Sequence, residues 1–152
     1  MKIRRLYISE GHNYFGHHGR EPDSHPSVEQ EQVQCVAGQG ISGDRFFGYK
    51  KNYRGQITFF SWEVFEAMRA ELNLPEVSPG LTRRNVIVED ADLNSLIGVE
   101  FEIQGVRFFG ESECSPCHWM DRAFAPGAEH FLKNRGGLRA RILMSGTLRA
   151  EG

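Results

Sequence analysis

The chain predicts a mostly β, α+β fold: a small mixed or antiparallel barrel-like sheet with two or three short helices. Three observations predict it. Glycine supplies 17 of 152 residues, about 11% against a typical ~7%, and six prolines accompany it. These residues punctuate short apolar segments instead of clustering, as expected of many short elements joined by turns. About seven segments carry strand patterning, whereas helical spacing is confined to two or three short stretches, so a doubly wound sheet with regularly interleaved helices is not expected.

Taken in order, Lys2 to Ser9 alternates and reads as a strand. Glu10 to Pro26 holds four of the six histidines (His12, His17, His18, His25) with Gly11, Gly16 and Gly19, and reads as a long polar loop. Val28 to Ala37 reads as one strand, with Val33 and Cys35 on one face and Gln32 and Gln34 on the other. Gly38 to Gly48 has glycines at 38, 40 and 43, close to a dinucleotide-binding fingerprint. That fingerprint must open a helix inside a βαβ unit, and the polar, turn-rich residues that follow argue against it. A turn that can present backbone N–H groups to an anion remains open beside plain turn chemistry.

Gln56 to Phe60 is a short buried strand, and Ser61 is placed as the N-cap of a helix. Trp62, Phe65, Met68 and Leu72 recur at helical spacing as a core stripe, and the helix is expected to stop before Pro75. Pro79-Gly80 is a turn and Asn85 to Glu89 a strand. Asp92 to Ile97 is a helical turn closed by Gly98. Val99 to Ile103 and Val106 to Gly110 form a hairpin across Gln104-Gly105. Arg139 to Met144 is the expected last strand, followed by a turn at Ser145-Gly146.

The length fits a single domain over residues 1–152, and a formal charge of −2 offers no electrostatic grip on nucleic acid or an anionic membrane. No apolar run approaches the ~20 residues of a membrane helix, and the apolar part of the first eight residues is short for a signal sequence. The expected location is therefore cytoplasmic, where three cysteines remain thiols.

The densest chemistry lies at Glu113-Cys114-Ser115-Pro116-Cys117-His118. Pro116 suits a helix start, with helical character over His118 to Phe124. Cys117 then falls in or near a first turn, where free N–H groups favour thiolate, and His118 can add charge or take a proton. Four readings stand. The plainest is a pair of partly buried cysteines without a chemical role. A structural zinc site wants four ligands and finds one C-x-x-C. A thioredoxin-like dithiol wants a βαβ context. The fourth is a reactive thiolate that carries sulfur or ligates a metal.

Several segments, in order, resemble the MOSC family, the domain first described at the C-terminus of molybdenum-cofactor sulfurases. They are Gly40-Ile41-Ser42-Gly43-Asp44-Arg45, Arg54 to Phe59, Arg84 to Glu89, Asp92 to Gly98 with the hairpin after it, Cys114-Ser115-Pro116-Cys117, and Gly136 to Leu143. The resemblance covers about Ile8 to the C-terminus. The resemblance implies a barrel-like β fold with Cys117 at the rim of a cleft, as persulfide carrier or molybdenum ligand. It makes Gly43, Asp44, Arg84 and Asn85 candidates for the side of the molybdenum cofactor (molybdopterin). Cys114 is a candidate resolving thiol and His118 a catalytic neighbour. Relatives that keep the cofactor reduce N-hydroxylated compounds with electron-transfer partners.

Neither the extra N-terminal β domain of longer relatives nor a sulfurase domain is expected within these 152 residues, and pyridoxal phosphate is therefore not expected. The functional expectations are three: a cofactor-binding oxidoreductase of small N-oxygenated substrates, a sulfur carrier handing Cys117 persulfide sulfur to a metal centre on a partner, or a binding module using only the fold. The expected partners are an electron-transfer or sulfur-donor protein and a second copy in a homodimer, with no nucleic acid and no membrane. The His-rich loop from Gly11 to His25 is expected to be exposed, to close over the site, or to bind metal.

Overall fold

The computed structural model of the protein describes residues 1–11, 25–74, 76–116 and 119–151. The strands are β1 (Lys2–Ile8), β2 (Val28–Gln30), β3 (Gln32–Val36), β4 (Gly40–Ile41), β5 (Ile57–Ser61), β6 (Val86–Glu89), β7 (Glu100–Ile103), β8 (Val106–Glu113), β9 (Leu138–Met144) and β10 (Gly146–Arg149). The helices are α1 (Trp62–Glu71), α2 (Trp119–Ala123) and α3 (Ala128–Phe131), with 3-10 turns at Pro79–Thr82 and Leu93–Leu96. A seven-stranded sheet has the order β2-β1-β6-β5-β9-β8-β7, and a three-stranded sheet the order β10-β3-β4. Among the described residues, every strand pair is antiparallel except β5 and β6. The expected mostly β, mixed-sheet class therefore holds.

The central strands of the large sheet are buried on both faces, which explains why Val86, Ile87 and Val88 are all apolar rather than alternating with polar residues. Leu6, Phe59, Val86 and Val88 face one core, shared with Val33, Cys35, Ile41 and Leu148 of the small sheet. Tyr7, Phe60 and Ile87 face the other, against Phe65 and Met68 of α1, Met120 of α2 and Leu132 after α3. The strand period of two thus sorts neighbouring residues into two cores. Phe59, Phe101 and Phe108 meet at centroid distances of 5.3–5.6 Å within the first core.

Ser61 caps α1 by accepting the Val64 N–H at 3.2 Å, and the Trp62–Leu72 stripe packs into the core as expected. The helix ends at Glu71; Pro75 lies outside the described residues. The β7–β8 hairpin turns on Gln104 and Gly105, both at positive φ, as a tight primed turn requires.

Three expectations need correction. Val28 to Ala37 is two strands, because the chain leaves the large sheet at Glu31 and enters the small one. The chain does not simply turn away after Met144: Gly146–Arg149 pairs with β3, burying Leu148 against Val33. β8 runs on to Glu113, past the expected end at Gly110, because β9 accompanies it through two register shifts. The chain's two ends also meet: Ile3 N–H donates to the Glu151 carboxylate at 3.0 Å, and Glu151 N–H donates to the Ile3 carbonyl at 2.8 Å.

Asn85 stands at the entry to β6 and joins three strands. Its Oδ1 accepts from the Thr58 N–H and hydroxyl (3.0 and 3.1 Å), its Nδ2 donates to the Tyr7 carbonyl (3.2 Å), and its own N–H is bound by Thr58. Removing the amide strands buried partners on β1 and β5, each costing about 1–3 kcal/mol. Asn85→Ala is therefore expected to lower the stability measured by urea unfolding by at least about 2 kcal/mol. Unchanged stability would show that the network is not needed for folding.

Candidate functional site

Three loops converge where β8 ends. The Asp44 carboxylate, buried at the end of the Gly-rich turn, accepts the Ser9 N–H at 3.0 Å, the Phe46 N–H at 3.3 Å and an Arg45 Nη1–H at 3.2 Å. Gly43, just before it, holds φ +85, a conformation an L side chain would strain. Arg45 reaches inward and also donates to the Arg83 carbonyl at 3.1 Å. Its side chain is only 9% exposed, and that of Asp44 is fully buried.

Arg84 is buried as well, and it staples the site. Its Nε donates to the Gly136 carbonyl (3.0 Å), Nη1 to the Thr82 carbonyl (2.9 Å) and Nη2 to the Cys114 carbonyl (3.0 Å). One side chain thus ties the 3-10 turn, the Gly136-Gly137 turn and the Cys114 segment together. The two glycines permit this closeness. A Cβ on Gly136 would lie 2.2 Å from the Cys114 carbonyl oxygen, and one on Gly137 2.3 Å from the Phe59 carbonyl oxygen. Cys114 N–H donates to the Gly137 carbonyl at 2.7 Å, so the segment is held on both sides.

The electrostatics are lopsided. Burial pushes the Arg45 guanidinium below its ordinary value; Asp44 opposes this, the like charge of Arg84 adds to it, and Cys114 and Tyr53 act in the direction of Asp44. Arginine nevertheless remains a cation. Arg45 thus pairs with the buried Asp44 carboxylate, while the buried Arg84 donates to backbone carbonyls, one of them that of the half-buried Cys114. Beyond them, Tyr53 accepts an Arg139 Nη2–H at 3.0 Å and stacks with Phe46 at 5.2 Å between ring centroids.

Of the candidates read from sequence, Arg84 and Cys114 are brought into direct contact, while Asp44 pairs with Arg45. Gly43 shapes the turn. Asn85 points the other way, into the sheet. Cys117 and His118 lie outside the described residues, as do His12, His17 and His18 of the His-rich loop. The stems of that loop are described: Arg83 donates to the carbonyls of Gly11 (2.7 Å) and His25 (2.5 Å) and to the Ser9 hydroxyl (2.9 Å). α2 ends at Ala123, one residue before the expected end at Phe124. Among the described residues no group of three or more His, Cys, Asp or Glu is placed to hold a metal ion. Sequence reasoning passed over Arg45, Arg83, Gly136 and Tyr53 as site residues. The available signals were the Asp44-Arg45 and Arg83-Arg84 pairs and the Gly136-Gly137 dipeptide.

The MOSC domain model matches residues 15–151. No curated protein sequence matches the chain. Among solved structures, the YuaD protein from Bacillus subtilis superposes with a TM-score of 0.76 at 20% identity, covering 98% of this chain and 91% of that one. YiiM from Geobacillus stearothermophilus gives 0.69 at 12% identity over 98% of this chain and 71% of that one. YiiM from Escherichia coli gives 0.63 at 15% over 99% and 67%. At these identities the likeness is one of fold.

Two outcomes follow from this geometry. Gly136→Ala should displace the Cys114 segment, raising hydrogen exchange at the Cys114 amide by at least about tenfold while the β1–β6 amides hold. Equal protection at Cys114 would mean that the close approach is not needed. Cys35 is 2% exposed, with its thiol pushed up to about 12 by burial. At pH 8 it should therefore stay a thiol and resist alkylation in the native protein, reacting only on unfolding; mass mapping of alkylated peptides checks this.

Proposed function

The chain belongs to the MOSC-domain family, and on that premise we propose that it binds the molybdenum cofactor beside Cys117 and takes part in the oxidoreduction of small N-oxygenated compounds. The observation that carries the reading is the charge imbalance at the end of β8. Two guanidiniums with little exposure, Arg45 and Arg84, influence each other as like charges; the buried Asp44 carboxylate pairs with Arg45, and Arg84 donates to three backbone carbonyls. A buried cation is costly unless an anion balances it, so the site favours an anionic ligand. The molybdenum cofactor carries a phosphate, which guanidinium groups recognise well.

In this reading Arg45 and Arg84 would hold the anionic part of the cofactor and Cys117 would supply thiolate to the metal. When bound, the cofactor supplies two-electron redox chemistry. For an N-hydroxylated amine the balance is cleavage of the N–O bond, with two electrons from a redox partner protein and two protons, leaving amine and water. Arg84 acts through position, fixing the backbone that leads into Cys117 by its bond to the Cys114 carbonyl. Asp44 orients Arg45, and both oxygens of its carboxylate are already held by protein donors.

The test is molybdenum and pterin content of protein purified from cells that make the cofactor, beside Cys117→Ala and Arg45→Gln. The expected result is both components in the wild type, none in Cys117→Ala, and at least about a tenfold loss in Arg45→Gln, the loss of a charge-assisted pair. Absence of both from the wild type would overturn the reading. A wild-type mass gain of one sulfur atom, removable by thiol and missing from Cys117→Ala, would then favour the persulfide carrier.

A further inference from the structure

We propose that Arg83 is a positioning residue for the Arg45 guanidinium, acting through a closed ring of hydrogen bonds over Ser9, Asp44, Arg45 and Arg83. Arg83 holds φ 60 and ψ 25, a left-handed conformation that is costly for any residue with a Cβ. Such a conformation persists only where the surroundings over-determine it, and such residues cluster at functional sites. Here both the backbone and the side chain are engaged. The Arg83 N–H closes the 3-10 turn by donating to the Gly80 carbonyl at 3.0 Å, and its carbonyl accepts an Arg45 Nη2–H at 3.1 Å. Its guanidinium donates to the Ser9 hydroxyl at 2.9 Å and to the carbonyls of Gly11 and His25. Those two residues are so close that a Cβ on Gly11 would lie 2.6 Å from the His25 ring.

These bonds close on themselves. From the Arg83 guanidinium they pass to the Ser9 hydroxyl, and the Ser9 N–H donates to Asp44 Oδ1 at 3.0 Å. The same oxygen accepts Arg45 Nη1–H at 3.2 Å, and Arg45 Nη2 returns to the Arg83 carbonyl. The Arg45 N–H also donates to the Ser9 carbonyl at 2.8 Å, so backbone and side chain of Arg45 meet the same ring. Acceptors on two separate loops thus hold two nitrogens of one planar fork, which fixes the direction in which the fork faces. Ser9 and Asp44 are buried, so water does not readily replace a bond lost from the ring. Arg84, the next residue, spends its guanidinium on the carbonyls of Thr82, Gly136 and Cys114, none of which belongs to the ring. Adjacent arginines therefore position different parts of the site: Arg83 the Arg45 guanidinium, and Arg84 the Cys114 segment.

As a statement about the cofactor, this rests on the oxidoreductase reading, in which Arg45 holds the anionic part. As a statement about Arg45, it stands apart from that reading. The experiment is NMR of the guanidinium groups in the full chain without molybdenum, comparing wild type with Arg83→Gly and Ser9→Ala. Arg45→Gln assigns the Arg45 signals, and Arg84 serves as the internal reference. Glycine takes up the left-handed backbone freely and keeps the carbonyl, so Arg83→Gly removes the side-chain arm of the ring. Ser9→Ala breaks the same arm at the hydroxyl. Hydrogen exchange of the Arg45 guanidinium is expected to quicken at least about tenfold in both variants, with that of Arg84 within about twofold of wild type. A general loosening of the fold would quicken both arginines alike. That result, or unchanged Arg45 exchange in either folded variant, would overturn the proposal. Faster Arg45 exchange in the variants of a protein that never acquires molybdenum would keep this inference and reject the cofactor reading; molybdenum and pterin in the wild type, with Arg45 exchange unmoved by Arg83→Gly, would do the reverse.

Discussion

The guanidinium of Arg84 is the constraint on which the site depends. It satisfies three carbonyls belonging to three separate loops, and no other side chain combines a fixed planar fork with five donors. Without it, the carbonyls of Thr82, Gly136 and Cys114 would need other partners in a place where the polypeptide is already crowded. The crowding comes from the paired glycines: Gly136 lets the Cys114 segment lie on the turn before β9 at a distance no Cβ permits, and Gly137 lets the same turn lie against the Phe59 carbonyl. Arginine and glycine therefore act as one device: the glycines allow the approach, and the guanidinium holds it.

The sheet beneath the site explains how such a device can be held steady. β5 and β6 are buried on both faces, between the small sheet on one side and the helices on the other. Arg84 and Asn85 precede β6 and diverge at once, one toward the Cys114 segment and the other into the ladder at Thr58 and Tyr7. Adjacent residues thus divide the work of holding the site and holding the sheet. Among the described residues, the conflict between a buried positive charge and a well-packed core falls on Arg84, with the Arg45 side chain little more exposed.

Much of the fold was legible in the sequence because hydrophobic period and turn chemistry agreed. Ser61 ahead of Trp62, the Gln104-Gly105 turn, and the Val33 and Cys35 face all read correctly. What could not be read was how strands distribute between sheets. Nothing in Glu31 announces that the chain changes sheet there, since exposed polar residues on both sides fit one continuous strand equally well. β10 was missed because Gly-Thr-Leu-Arg is short, and only Leu148 is buried to signal it. At the site, the family resemblance pointed to Asp44, Arg84 and Asn85, but a pattern does not say where a polar group spends its hydrogen bonds. The structure gives the Asn85 side chain to the strands, and those of Asp44 and Arg84 to the surrounding loops. It adds Arg45, whose importance comes from burial, a tertiary property absent from local sequence.

The paired hydrogen bonds between Ile3 and Glu151 bear on how this chain reaches its native state. They join residues 148 positions apart, and the β10–β3 and β1–β6 pairings beside them also span long stretches of chain. Local hairpins such as β7–β8 close small loops and bring an early return in contacts, whereas this seam gains its bonds only after nearly the whole chain has given up its freedom. It belongs to the last part of the molecule to assemble, a clasp fastened once the sheets it joins have formed.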